Sequence, residues 1–123
     1  MFSHVLLGTN DVQASKQFYD AVLGALGYEP GTWDGQGMCL YLTQGGIFGV
    51  TPPVNGEPAT HGNGSTIGFS AGSAEGVDAW HAAGVANGGI SCEDPPGERA
   101  SGLYLAYLRD PSGNKICAMH RSD

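Results

Sequence analysis

His4-Val5-Leu6-Leu7-Gly8-Thr9-Asn10-Asp11 is a short apolar run that stops at polar, cap-forming residues. The same pattern returns in the second half of the chain. Thr66-Ile67-Gly68-Phe69-Ser70-Ala71 lies over His4-Val5-Leu6-Leu7-Gly8-Thr9, and with no gap Phe18 falls on Trp80, Tyr19 on His81 and Gly27 on Gly89. Identity between the copies is low, so the duplication rests on pattern. A repeated supersecondary unit governs the whole fold.

Each copy opens with a β-like run, at 3–9 and 65–71, followed by a helix. In the first copy Asn10 is the expected N-cap and Gln13 its capping-box partner. Val12, Ser15, Tyr19, Val22, Leu23 and Leu26 recur at helical spacing as one buried stripe, and Gly27 suits the C′ position. In the second copy Ser73 caps and Glu75 sits near the positive end of the dipole. Val77, Trp80 and His81 face inward, and Gly88-Gly89 end the helix. Three β-like runs follow each helix, near 28–34, 37–43 and 46–52, then near 90–94, 102–109 and 114–120. Gly45-Gly46 and Asp110-Pro111-Ser112-Gly113 read as tight turns. The expected fold is α+β, with βαβββ modules at 1–52 and 65–123 joined by a Pro- and Gly-rich linker at 53–64.

Composition removes several functions. Five Lys and Arg stand against 12 Asp and Glu in 123 residues, a formal charge of −7. That makes a phosphate-binding footprint, and so a nucleic-acid partner, a poor expectation. Apolar runs extend only a few residues, too short for a membrane helix of ~20. Met1-Phe2-Ser3-His4 lacks the basic start and apolar stretch of a secretory signal. Cys39, Cys92 and Cys117 are odd in number and show no CxxC spacing. Free thiols in a reducing cytoplasm are the expectation. Glycine, at 21 residues, is about 17% of the chain against an ordinary ~7%. A duplicated sheet with many corners uses it.

With these words in that order the chain resembles the vicinal oxygen chelate superfamily, which includes glyoxalase I, extradiol dioxygenases and the fosfomycin- and bleomycin-resistance proteins. The resemblance is carried by His4 through Asp11, by Ser15, Phe18-Tyr19, Val22-Leu23-Gly24 and Leu26-Gly27, and by Leu108-Arg109-Asp110-Pro111-Ser112-Gly113-Asn114-Lys115-Ile116. It implies sheets that pair into a cup holding a small molecule, often across a homodimer. It also implies a divalent metal chelated by vicinal substrate oxygens, with ligands at the start of each module's first strand and in its last strand.

Carried over position by position, that ligand set is broken. The first position falls on His4, a competent donor, and the second on Gly49, which has no side chain. The third falls on Thr66, a weak neutral ligand, and the fourth on Cys117, where relatives carry Glu. This is below the three protein ligands of a catalytic metal site. The expectation is a small-molecule binding protein of the bleomycin-resistance type, working without the usual metal. The alternative is a lactoylglutathione lyase-like enzyme or ring-cleaving dioxygenase using Ni, Zn, Mn or Fe at a degenerate site.

His4 and Cys117 are the candidate catalytic residues, with Cys117 a nucleophile if a base lowers its pKa. Thr66, Trp33, Tyr41, Tyr104 and Tyr107 are candidates for lining the cup, since an aromatic wall suits a flat apolar ligand. Arg99 could meet an anionic group. His61 reads as a linker histidine, His120 as pointing opposite to Cys117, and Arg109 as a structural partner of its turn. P-loop and HExxH motifs are absent from the sequence.

Overall fold

The structure is a computed structural model and describes residues 1–122. The first copy contributes β1 (His4–Gly8), α1 (Val12–Ala25), β2 (Thr32–Trp33), β3 (Cys39–Thr43) and β4 (Gly46–Thr51). The second contributes β5 (Ile67–Ser70), α2 (Ala74–Ala86), β6 (Ile90–Ser91), β7 (Gly97–Glu98), β8 (Leu103–Arg109) and β9 (Lys115–Arg121). The expected α+β fold is present, with one short strand, β7, added to the second copy.

Two sheets form, in the orders β1-β4-β3-β2 and β5-β9-β8-β6, with β7 pairing β8. In each, the opening strand of the copy runs parallel to its closing strand and lies at a sheet edge. The intervening helix is the crossover that a parallel pair requires.

The helices start and stop where local chemistry dictates, with one correction. Asp11, not Asn10, caps α1: its carboxylate accepts from Ala14 N–H at 3.1 Å. Asn10 is drawn to the linker, where its side chain exchanges hydrogen bonds with the backbone of Ala59 at 2.8 and 3.1 Å. Gln13 therefore has no capping box to complete. Ser73 caps α2 as expected, accepting from Gly76 N–H at 3.0 Å. Gly27, at φ +93°, turns the chain out of α1.

Two strands fall short of their sequence-based limits. The segment before Thr32 cannot pair because Pro30 has no N–H and the Gly31 N–H is held by the Asp20 carboxylate at 2.9 Å. Asp34 then gathers the N–H groups of Gln36 and Met38 into a turn. In β6, Cys92 N–H still reaches Tyr107 at 3.3 Å, but Glu93 adopts φ 57° and ends the ladder.

One core joins both copies. Phe18, Tyr19 and Val22 of α1 and Val77 and Trp80 of α2 meet Phe48 and Val50 of the first sheet and Leu108 and Ile116 of the second. Each such side chain contributes roughly 1.5–3 kcal/mol on burial. Phe48 and Phe69 make an edge-to-face contact between the sheets at 5.2 Å. Gly84 permits the helix packing, since a Cβ there would sit 2.3 Å from Leu108 Cδ1 and 3.1 Å from Val22 Cγ1.

The Asp110–Asn114 turn fastens the second copy to the first. Asp110 Oδ1 accepts from the N–H groups of Ser112 and Asn114, and Oδ2 accepts from Asn114 Nδ2 and the Tyr19 hydroxyl. Asn114 Nδ2 also reaches the Gly8 carbonyl at 2.9 Å. Ser112 Oγ receives the Asn10 N–H at 3.1 Å. The signature residues at both ends of the chain are thus an architectural clasp.

Candidate functional site

A cleft of about 410 Å³ opens where the start of β1 and the β3–β4 turn approach the edge of β5. His4 and Val5 enter from β1, Thr43, Gly45 and Gly46 from the turn, and the run from Ile67 to Ser70 from β5. Tyr28, just past α1, and Phe2 stand at its rim as exposed aromatics. Tyr41, Phe48 and Phe69 supply further apolar wall, and among the described residues no Lys, Arg, Asp or Glu lines it. The volume lies in the range of small-molecule sites.

His4 is exposed, and its Nδ1 lies 2.8 Å from Ser3 Oγ. Its Nε2 has no protein hydrogen bond among the described residues, so it is open to a ligand. Tyr41 joins the cleft through its ring, while its hydroxyl donates to Asp20 Oδ1 at 2.8 Å. Burial, reinforced by Asp20, holds that phenol far above its ordinary pKa, so it stays protonated.

The other sequence candidates lie elsewhere. Thr66 precedes β5 and is exposed, and Trp33 is exposed on β2. Tyr104 donates to Asp78 of α2 at 2.8 Å. Arg99 folds back on its own loop, donating to the carbonyls of Asp94, Pro95 and Gly97 at 3.0–3.2 Å. Tyr107 and Cys117 are cross-strand partners on β8 and β9. Lys115, two residues before Cys117, is ion-paired with Glu93 and stands 5.1 Å from the Tyr107 ring centroid. Burial pushes the Cys117 thiol above its ordinary pKa, with Lys115 opposing the shift. His4 lines the cleft and Cys117 does not. His61 packs on the clasp, where a Cβ at Gly113 would fall 2.6 Å from its ring.

Sequence reading missed Phe2, Tyr28, Thr43 and the β5 edge. A signal existed: Gly68 is a lone glycine within a β-like run, a mark of close backbone approach.

The paired βαβββ topology, with an apolar cleft beside each copy's opening strand, defines a two-module α+β fold of the glyoxalase type. Residues 1–118 match the Glyoxalase/Bleomycin resistance protein/Dioxygenase superfamily, and the chain belongs to that superfamily. It is 61% identical to a glyoxalase/bleomycin resistance protein from Albidiferax ferrireducens T118, whose crystal structure superposes with a TM-score of 0.96 over 99% of both chains. A glyoxalase-related enzyme from Fulvimarina pelagi shares 19% identity, with a TM-score of 0.78 over 97% of this chain and 86% of that one. A lactoylglutathione lyase from Agrobacterium tumefaciens shares 20%, with a TM-score of 0.68 over 97% and 92%. These two likenesses speak to fold. No curated protein matches.

The superfamily's metal can be tested against the residues present. Leu6, Gly49 and Leu40 stand in one row across β1, β4 and β3. A Cβ at Gly49 would lie 2.8 Å from Leu40 Cδ2, 2.9 Å from Leu6 Cδ2 and 3.1 Å from the Cys39 carbonyl, so leucine methyls rest where a side chain at this position would start. Thr66 brings a neutral hydroxyl and Cys117 a protonated thiol, leaving His4 as the single competent donor. Among the described residues no group of three or more His, Cys, Asp or Glu side chains is placed to hold a metal ion. The donor set does not fit a divalent cation.

Proposed function

We propose that this protein binds a small molecule in the cleft beginning at His4, and does so without a divalent metal. The observation that carries the reading is Gly49, closed over by Leu6 and Leu40 at the superfamily's second ligand position. Divalent ions of this kind need nitrogen, oxygen or thiolate donors, and aliphatic packing supplies none of them.

The test is metal content of untagged protein together with thermal shift. Metal-free protein whose melting temperature ignores added Ni, Zn, Mn and Fe, but rises with a neutral aromatic fragment, supports the reading, because native-state binding stabilises as RT ln(1 + [L]/Kd). Stoichiometric metal that is lost in His4→Ala overturns it in favour of a metal-dependent lyase or dioxygenase.

The protein is further proposed to act as a homodimer in a reducing compartment. The accessible surface is 6922 Å², against about 6,200 Å² for a compact monomer of this mass. Leu6, Ile47 and Leu42 are exposed on one face of the first sheet, the kind of apolar surface a partner covers. All three cysteines are free thiols. Among the described residues no helix is long and apolar enough to cross a membrane. Light scattering at micromolar concentration checks the dimer: a monomeric mass removes it.

A further inference from the structure

The cleft also carries polar groups that its side chains do not supply. Ala71 N–H donates to Met119 C=O at 2.8 Å. In a parallel ladder alternate residues turn both backbone groups toward the neighbouring strand. Ile67, Phe69 and Ala71 therefore face β9, while Gly68 and Ser70 present N–H and C=O outward. Because β5 is the sheet edge, no strand stands beside them. Both residues line the cleft, and Gly68, lacking a side chain, can do so only with its backbone.

The corresponding edge of β1 is treated differently. Ile47 N–H donates to Ser3 and Thr9 N–H donates to Thr51, so His4, Leu6 and Gly8 turn outward there. The Gly8 carbonyl is then capped by Asn114 at 2.9 Å. The β5 edge has no such cap among the described residues. It is a row of exposed backbone donors and acceptors bordering an apolar cleft, open to a ligand whose polar atoms match them.

The walls restrict what that partner is. Among the described residues the lining holds no Lys, Arg, Asp or Glu and His4 is its one imidazole, so an ammonium would lose hydration with no carboxylate to meet, and a carboxylate would have only that exposed ring as a partner. A neutral flat body can lie against Tyr28, Phe48 and Phe69, and adjacent donor and acceptor atoms can pair with a strand edge as another strand would. We propose that the cleft selects uncharged planar molecules bearing an amide or lactam group, held by the Gly68 and Ser70 backbone. This rests on the small-molecule reading of the same cleft and names its ligand class.

Benzamide, benzoate and benzylamine are the probes, titrated into nitrogen-15-labelled protein. Benzamide should move the Gly68 and Ser70 amide resonances, and the two charged analogues should bind at least tenfold more weakly. Ser70→Pro deletes an outward N–H and leaves the β5–β9 bonds, a substitution that edge strands tolerate. It should weaken benzamide about tenfold while leaving the circular dichroism unchanged. Benzoate binding as well as benzamide overturns the inference, as do benzamide shifts centred on Tyr107 and Cys117. Hydrogen-exchange protection of Gly68 and Ser70 that vanishes on dilution also overturns it, because a second copy then covers the edge. In those cases small-molecule binding itself stands. If benzamide leaves every resonance unmoved, the inference fails, and if no neutral aromatic fragment raises the melting temperature either, the broader reading fails with it.

Discussion

The Tyr19 hydroxyl donates to Asp110 Oδ2 at 2.6 Å, joining the first helix to the last turn of the chain. Asp110 is 3% exposed, and its carboxylate accepts from two backbone N–H groups, an amide and this phenol. Burial, then Asp110, raises the Tyr19 pKa well above its usual value, so the donor keeps its proton. Tyr19→Phe should cost about 1.5–3 kcal/mol, the range for a hydrogen bond to a charged group. Urea unfolding at neutral pH measures it, and an unchanged midpoint would show that the clasp is idle.

Gly84 lies where α2 meets both α1 and β8. Gly84→Ala places a methyl 2.3 Å from Leu108 Cδ1, and the overpacking should cost about 1–3 kcal/mol despite alanine's better helix propensity. A melting temperature that rises would show that the helices can separate freely.

Gly49→Glu, the substitution that returns a carboxylate to the superfamily's ligand position, should not create a metal site. Leu6 and Leu40 occupy the space, so the protein should lose stability and gain no metal-dependent rise in melting temperature. A several-degree rise with Ni or Zn would falsify the packing argument.

Thiol labelling separates the cysteines. Cys117 is 8% exposed and Cys39 fully buried, and burial raises both thiols. Cys92 is half-buried. Native protein treated with iodoacetamide near pH 8 should be modified first at Cys92, with Cys39 and Cys117 reacting only on unfolding. Early modification of Cys117, located by peptide mapping, would revive it as a nucleophile.

Asp20 gives the acid response a direction. Burial opposes its charged form, but hydrogen bonds from Lys16, Gly31 N–H and Tyr41 prevail and hold its carboxyl below the ordinary 3.8. A depressed folded-state value stabilises the protein above the unfolded value, and that stabilisation is lost as the pH falls through the folded one. The stability gap between the parent and Asp20→Asn should therefore be full at pH 7 and shrink below pH 3.8. A constant gap on acidification would exclude the mechanism.

The fold was legible because the hydrophobic period changes from two to 3.6 and back, twice, with Ser73, Gly27 and the Asp110 turn punctuating it. The cap of α1 was misplaced because Asn10 and Asp11 are both good caps, and only the distant Ala59 backbone decides between them. The site was less legible. His4 and Tyr41 could be named, since they sit on strands in the expected register. Tyr28 and Phe2 lie in segments without period, and the β5 edge is backbone, which no residue type announces. Tyr104 and Arg99 carried the right chemistry, but Asp78 and the carbonyls of Asp94, Pro95 and Gly97 draw them away from the cleft.

The clasp leaves the duplicated halves unequal. Asp110 and Asn114 arm one turn with side chains that bind it to Tyr19 and to the Gly8 carbonyl at the end of β1, whereas the counterpart turn brings only the bare backbone of Gly45 and Gly46 to the cleft beside β5. Two like units thus fold with unlike edges. The asymmetry is written not in the catalytic vocabulary of the superfamily but in which hairpin kept its arms.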